Sequence, residues 1–177
     1  MTMNELEAGV HRIMVTVLAC TKAHFQDELG IVIASTTTSL SGEINALALR
    51  KLTAIVSLGG PVNILAAFSF DQLLADHLME VETTGLTLTP DERPQFLLDT
   101  VAETINVVLG HATTELAEVG NAVVLSAPVV LEDGGKLRRP KGAIFISVSH
   151  ETAHGVLDVD LIAPRHLFGD NLKLTTS

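Results

Sequence analysis

The sequence predicts one α+β domain, with a mainly antiparallel six-stranded sheet and long helices packed on it. Its 177 residues, 47% of them hydrophobic, are enough for one core but not for several. A helix followed by three strands occurs twice, about 90 residues apart, which indicates an internal pseudo-repeat. We therefore expect a single domain over residues 1–177, with halves at about 5–82 and 94–163 and a short C-terminal tail at 164–177.

The first half begins with an amphipathic helix. Apolar residues recur at steps of three and four over residues 5–27, and Gly30 ends the pattern. Strand-like stretches follow at 31–38, 52–58 and 62–69, and the glycines and proline at 59–61 predict a turn between the last two. A short helix is expected at about 70–81, before a polar connection that contains Pro90 and Pro94.

The second half repeats this order. A long helix is predicted at about 94–116, and strands are predicted near 122–131, 143–149 and 156–162. The two halves share little sequence identity, so the pseudo-repeat is inferred from the order of elements.

Charge and aromatic content disfavour nucleic acid as a partner. The chain has 11 Lys and Arg against 21 Asp and Glu, a net charge of -10 that repels phosphate backbones and anionic lipid. It has no Trp or Tyr and six Phe, so it has few of the aromatic side chains on which single-stranded bases stack. We therefore expect neither a nucleic-acid nor a membrane partner.

The single cysteine favours a cytoplasmic protein. Cys20 cannot form an internal disulfide, and an unpaired thiol fits a reducing compartment. The apolar run at 13–20 is too short to span a bilayer, and Glu5 and Glu7 before it give the wrong charge for a signal peptide.

A narrow polar stripe runs along the predicted long helix. At 100° per residue, Asp99, Glu103, Asn106 and Gly110 fall within an arc of about 60°, opposite the apolar side of the helix. A solvated helix face usually carries Lys, Glu, Arg and Gln, whereas Asn106, Gly110 and the adjacent Thr113 on this side are poorer helix formers. The absence of bulk at Gly110 would let another surface approach closely.

The two polar groups of the stripe suggest a chemistry. The amide of Asn106 can donate and accept hydrogen bonds, so it can orient a water, but it is too weak a base to deprotonate one unaided. Glu103 adds a negative charge one turn away. Such a pair suits a substrate that is already reactive, for which positioning supplies most of the catalysis; an aspartyl phosphate is one.

The motif Asp99-x-x-x-Glu103-x-x-Asn106, with Pro128 after 21 further residues, resembles the signature of the CheC, CheX and FliY chemotaxis phosphatases. The runs 99–110, 125–128 and 55–70 are also similar to CheX, so the resemblance covers about residues 5–163. It implies a CheC-like fold and hydrolysis of the aspartyl phosphate of a CheY-like response regulator. It implies no cofactor bound by this chain, because the Mg²⁺ belongs to the response regulator.

The resemblance also implies residue roles. Asn106 would position the attacking water, and Glu103 would engage a lysine in the active site of the regulator. Asp99 and Gly110 would support the site or contact the partner, and Pro128 would shape a strand. His111 departs from the pattern, because related sequences often carry Asn at this position.

One site is expected in this chain, as in CheX-like members of the family, which form homodimers. CheC-like members carry two copies of the site. At the repeat spacing of about 90 residues, the counterparts of Glu103 and Asn106 are Ile13 and Thr16, which cannot perform the same chemistry.

Two other functions fit parts of the sequence. A non-catalytic module could bind a response regulator through the same helix without hydrolysing anything. More remotely, His150, Glu151 and His154 match the H-E-x-x-H pattern of zinc metalloproteases, in which a helix presents both histidines to the metal. The flanking strand-like stretches instead predict a hairpin turn here, with two exposed histidines in a surface loop.

Overall fold

A computed structural model describes residues 2–41, 44–60, 62–120 and 122–167. It contains three α-helices and nine strands in these ranges. The helices are α1 (Met3–Ala23), α2 (Gln72–Glu82) and α3 (Arg93–Glu118). The strands are β1 (Ile33–Ser41), β2 (Ala46–Leu49), β3 (Leu52–Gly59), β4 (Ile64–Phe70), β5 (Val124–Leu125), β6 (Val129–Glu132), β7 (Gly135–Arg138), β8 (Ala143–Thr152) and β9 (Gly155–Pro164).

All three predicted helices are present. A capping box begins α1: the Thr2 hydroxyl accepts from the Glu5 amide at 3.3 Å, and the Glu5 carboxylate accepts from the Thr2 amide at 2.6 Å. A π-helical turn, His24–Glu28, continues α1. This helical segment ends before Gly30, whose φ is +66°. Such π-helical turns are rare and occur often at functional sites.

The main sheet is antiparallel, in the order β1-β8-β9-β4-β3, and both β5 and β6 pair with the free edge of β3. With β6 at its end, the order is β1-β8-β9-β4-β3-β6. Exchanging β1, β3 and β4 with β6, β8 and β9, respectively, only reverses this order, so every strand keeps equivalent neighbours. The arrangement therefore has the internal symmetry that the repeated order of elements predicted.

The sheet has seven strands in the described ranges rather than six, because the predicted strand at 122–131 is broken into β5 and β6. The break contains Pro128, which has no amide hydrogen to donate to a neighbouring strand. A second small sheet, formed by β2 and β7, was not predicted from the sequence.

The helices cover one face of the main sheet and form the principal core with it. Apolar side chains from α1, α2 and α3 pack there against alternate residues of β3, β4, β8 and β9. On the opposite face a smaller cluster of Ala143, Phe145 and Ile162 is covered by Leu47 and Leu137 of the β2–β7 sheet. The outer sides of the helices are thus left available to other molecules.

Two predicted features lie partly outside the described residues. These are the turn at 59–61, of which residue 61 is not described, and the tail at 164–177, of which residues 168–177 are not described. The described part of the tail forms a short 3₁₀ turn at Arg165–Leu167. Within the described ranges, no helix combines the length and the apolar character needed to cross a membrane.

Candidate phosphatase site on α3

Packing against the sheet fixes which side of α3 faces outward. The predicted apolar side is wholly buried, with every side chain at 0% exposure: Val101, Ile105, Val108, Ala112 and Leu116. Asp99, Glu103 and Asn106 are consequently exposed, and Gly110 is half-buried. The structure therefore brings these four predicted residues onto one accessible line.

Glu103 and Asn106 lie side by side on this line. The Asn106 amide nitrogen donates to a Glu103 carboxylate oxygen at 3.5 Å, a long contact that leaves both groups free to bind other molecules. Asp99 is engaged with the preceding turn, where it accepts from the Gln95 amide at 2.8 Å. Asp99 thus lies about one turn before Glu103, but its observed hydrogen bond is with Gln95 and not with Glu103 or Asn106.

Gly110 leaves open space on the same line. A Cβ atom at this position would have no heavy atom within 4 Å, apart from the two adjacent residues and the nearby backbone of α3 itself. The carbonyl oxygen of Gly110 accepts from the Thr113 and Thr114 hydroxyls at 2.9 and 3.0 Å, so both side chains fold back onto the helix. Internal packing does not require glycine here.

Pro128 lies in the break between β5 and β6, at the edge of the sheet. Beside the break, the Ser126 amide donates to the Ser57 carbonyl, and the Ser57 amide donates to the Ser126 hydroxyl, both at 3.0 Å. Pro128 itself is half-buried. Pro128 thus lies where the edge strand is interrupted.

A cluster of titratable groups that the sequence did not reveal lies along one flank of α3. Glu28 links the two histidines of this cluster: one carboxylate oxygen lies 3.0 Å from His24 Nδ1 and the other 3.4 Å from His111 Nδ1. Glu82, the last residue of α2, lies beside Thr104 with 3.4 Å between its carboxylate and the hydroxyl. The contacts of Glu28 with His111 and of Glu82 with Thr104 join residues that are far apart in the sequence, so no local pattern predicted them.

The zinc-protease alternative is wrong for this segment, and so is the expected loop with two exposed histidines. His150, Glu151 and Thr152 continue β8, and only Ala153 and His154 form the turn to β9. Successive strand residues point to opposite sides of a sheet, so the helical ligand geometry is not formed.

The two histidines of this segment have other partners. His150 is 3% exposed and its Nδ1 lies 3.0 Å from the Thr36 hydroxyl; burial lowers its pKa. His154 is half-buried and stacks on His77 with 3.5 Å between ring centroids. No group of three or more possible metal ligands occurs in the described ranges.

The counterpart positions on α1 also need correction. Ile13 is 2% exposed and belongs to the core, so it cannot correspond to the exposed Glu103. The burial patterns of α1 and α3 coincide when the assumed spacing is increased by one residue, which places Arg12 and Val15 opposite Glu103 and Asn106. Arg12 and Val15, like Ile13 and Thr16, lack the carboxylate and the amide of the motif. The first half therefore carries no copy of the motif at either spacing.

The family of this chain is shown by a family model that matches more than half of it. The family model described as chemotaxis phosphatase CheX matches residues 52–151, which include Glu103, Asn106 and Pro128. This chain belongs to the CheX family of chemotaxis phosphatases. A search of curated proteins found no significant match.

Solved structures with the same fold include several members of this group. CheX from Desulfovibrio desulfuricans has a TM-score of 0.69 at 20% identity, with 84% of this chain and 97% of that chain covered. A CheC-like protein from Shewanella has a TM-score of 0.67 at 16% identity, over 85% and 96% of the two chains. CheX in a Borrelia burgdorferi CheX–CheY–BeF₃–Mg²⁺ complex has a TM-score of 0.61 at 17% identity, over 85% and 96%.

Proposed function

We propose that this protein hydrolyses the aspartyl phosphate of a CheY-like response regulator. The main support is the exposed Glu103–Asn106 pair on α3, in a chain of the CheX family. The solved complex of a Borrelia burgdorferi CheX with CheY, BeF₃ and Mg²⁺ supports the same class of partner, because beryllofluoride imitates a phosphoryl group.

The proposed chemistry depends on orientation. Asn106 holds a water so that an oxygen lone pair faces the phosphorus of the regulator. Glu103 accepts the ammonium group of the regulator's active-site lysine and thereby fixes the docked geometry. Phosphoryl transfer needs little covalent help from the protein, and the Mg²⁺ that neutralises charge on the phosphoryl group is part of the substrate. The products are inorganic phosphate and the free aspartate of the regulator.

We also propose that the protein acts as a homodimer with one site per chain. The single motif on α3 supports the number of sites. The dimer is an expectation from the family resemblance, and sedimentation equilibrium of the purified protein tests it directly.

The decay of a phosphorylated receiver domain tests the proposed activity. Wild-type protein should shorten the lifetime of the phosphorylated regulator. The lifetime is measured by the release of radiolabelled phosphate, with the regulator in molar excess over the phosphatase. A module that only binds would leave the lifetime unchanged or lengthen it. Either of those results would contradict the proposal.

Replacing Glu103 with alanine should weaken the productive complex on the order of tenfold or more, because the regulator's lysine would lose its charged partner. The change should appear mainly as a higher KM in the same decay assay. Glu118→Ala removes an exposed glutamate from the end of the same helix and serves as the control. Equal KM values for the two variants would contradict the role of Glu103.

Replacing Gly110 with leucine should separate stability from activity. The free energy of unfolding should rise by up to about 1 kcal/mol, because leucine is the better helix former and the Cβ meets nothing inside the chain. The value of kcat/KM should fall at least about tenfold, because the added side chain would hold the regulator away from Asn106. Urea unfolding and the decay assay measure the two effects. Ala19→Leu, at an exposed position on α1, is the matched control; full activity of the Gly110 variant would show that no surface approaches closely there.

A further inference from the structure

Two histidines from distant parts of the chain form a stacked pair away from the candidate site. His77 lies in α2 and His154 in the turn between β8 and β9, yet their ring centroids are 3.5 Å apart and their planes differ by 7°. Both residues are half-buried. His154, which the H-E-x-x-H pattern suggested as a metal ligand, thus packs against α2 instead.

The pair belongs to a larger contact between the β8–β9 turn and α2. The Asp71 amide donates to the Val156 carbonyl, and the Val156 amide donates to the Asp71 carboxylate, both at 2.9 Å. A Cβ atom on Gly155 would lie 2.9 Å from the Asp71 Cβ, so the backbones are in close contact. The Asp71 carboxylate also binds Arg50, which compensates its charge. The stacked rings extend this contact from the start of α2 to its second turn.

The other charges around the pair come from α2 and α3. The rings line an open cavity of about 620 Å³, whose charged side chains are Asp76 and Glu80 of α2 and Arg93 at the start of α3. The two carboxylates favour a protonated imidazole, and the guanidinium opposes it. In the described ranges neither imidazole of the pair forms a salt bridge. A proton added to the pair is therefore not neutralised by direct contact with a carboxylate.

The number of protons on the pair decides whether the stack is favourable. Histidine is the side chain whose charge ordinarily changes between pH 5 and 8. Two neutral rings pack favourably, and a single added proton creates no repulsion between like charges. Two added protons place like charges on rings whose centroids are 3.5 Å apart. The second proton therefore opposes the contact between the turn and α2.

We propose that His77 and His154 form a pH-sensitive latch, which holds the β8–β9 turn against α2 and releases it when both rings are protonated. The turn residues Ala153 and His154 belong neither to a strand nor to the principal core, so the latch can open without unfolding the domain. Because α2 also packs against α3, the latch restrains a neighbour of the helix that carries the candidate site. This inference does not depend on the proposed function.

A double-mutant cycle with His77→Gln and His154→Gln measures the latch. At pH 7.5, the folding equilibrium constant of the wild type should be about fivefold higher than the single and double variants predict for independent residues, as is usual for an aromatic pair. At pH 5 this coupling should fall to onefold or below, because protonation of the second ring opposes the stack. Urea unfolding at the two pH values gives the constants.

Hydrogen exchange locates the change. After correction for the intrinsic exchange rate, the Val156 amide, which donates to Asp71, should lose about fivefold of its protection at pH 5 relative to that of Val159 within β9. His154→Phe keeps a flat ring that cannot be protonated, so its Val156 amide should stay protected at pH 5. His11→Gln, which removes a half-buried histidine of α1, is the matched control and should behave as the wild type.

Two results would overturn the inference. One is a coupling between His77 and His154 that is absent at pH 7.5 or equal at both pH values. The other is a loss of Val156 protection at pH 5 that is as large in His154→Phe as in the wild type, because a group other than this pair would then control the turn.

Discussion

Replacing Asn106 with alanine should slow dephosphorylation of the regulator on the order of 10² to 10³-fold, the usual cost of one preorganised polar catalytic group. The folded protein should be unaffected or slightly more stable. Asn106 is exposed, its observed side-chain contact is the 3.5 Å bond to Glu103, and alanine is the better helix former. Rates of phosphate release at saturating regulator measure the first effect, and thermal unfolding measures the second.

Asn4→Ala provides the control for this substitution, because Asn4 is an exposed asparagine in α1. The loss should appear in kcat with little change in affinity for the beryllofluoride-activated receiver, since Asn106 is assigned to the water and not to the partner. If Asn106→Ala and Asn4→Ala release phosphate at the wild-type rate, the assignment of Asn106 is wrong.

Replacing Asp160 with asparagine should stabilise the protein at pH 7 by about 3 kcal/mol. Asp160 lies in β9 and is 2% exposed. Burial raises the pKa of its carboxyl from 3.8 to about 6; the Ser147 hydroxyl lowers it, Asp158 raises it and Arg50 lowers it. The ionised carboxylate is therefore unfavourable in the folded state at neutral pH.

The pH dependence gives the sign of this effect. Between about pH 4 and 6, the folded state of the wild type retains a proton that the unfolded state has lost, so stability falls as the pH rises through this range. The advantage of Asp160→Asn should accordingly be full at pH 7 and should disappear below about pH 4. Urea unfolding at both pH values measures it.

Asp158→Asn is the contrasting control in the same strand. Asp158 accepts from Arg50 Nε at 2.6 Å and from the Ser149 hydroxyl at 2.5 Å, so the loss of its charge should destabilise the protein. A pH-independent effect of Asp160→Asn, or destabilisation at pH 7, would contradict the account of Asp160.

The helix that carries the site could be predicted because local pattern and tertiary packing agree. Apolar residues at Val101, Ile105 and Val108 form one side of α3, and the same side is buried in the structure. The exposure of Glu103 and Asn106 then follows from helical geometry alone. The order of the other long elements was predictable for the same reason.

The small β2–β7 sheet could not be predicted in this way. Each strand has four residues, and the pairing joins Ala46 to Arg138, so the interaction that forms it is not local. The extension of β8 past Ser149 was not predicted for a related reason, because Thr36, the partner of His150 in the neighbouring strand β1, lies 114 residues earlier in the sequence. Short segments take their structure from neighbours that are distant in sequence.

The candidate site was predictable on α3, but the titratable groups beside it were not. Its residues on α3 are spaced by the period of one helix, so the sequence placed them together. Glu82 comes from α2, and His24 and Glu28 come from the π-helical turn that follows α1; only the packing of these elements on α3 brings them to the same flank of α3. Their spacing in the sequence carries no period that would associate them with Glu103.

The near-symmetry of the sheet has a consequence for valency. The exchange of the two halves relates α1 to α3, yet Arg12 and Val15 occupy on α1 the places of Glu103 and Asn106. Under the proposed function, one motif per chain means that each chain engages one regulator at a time. The rate per chain should then depend hyperbolically on regulator concentration.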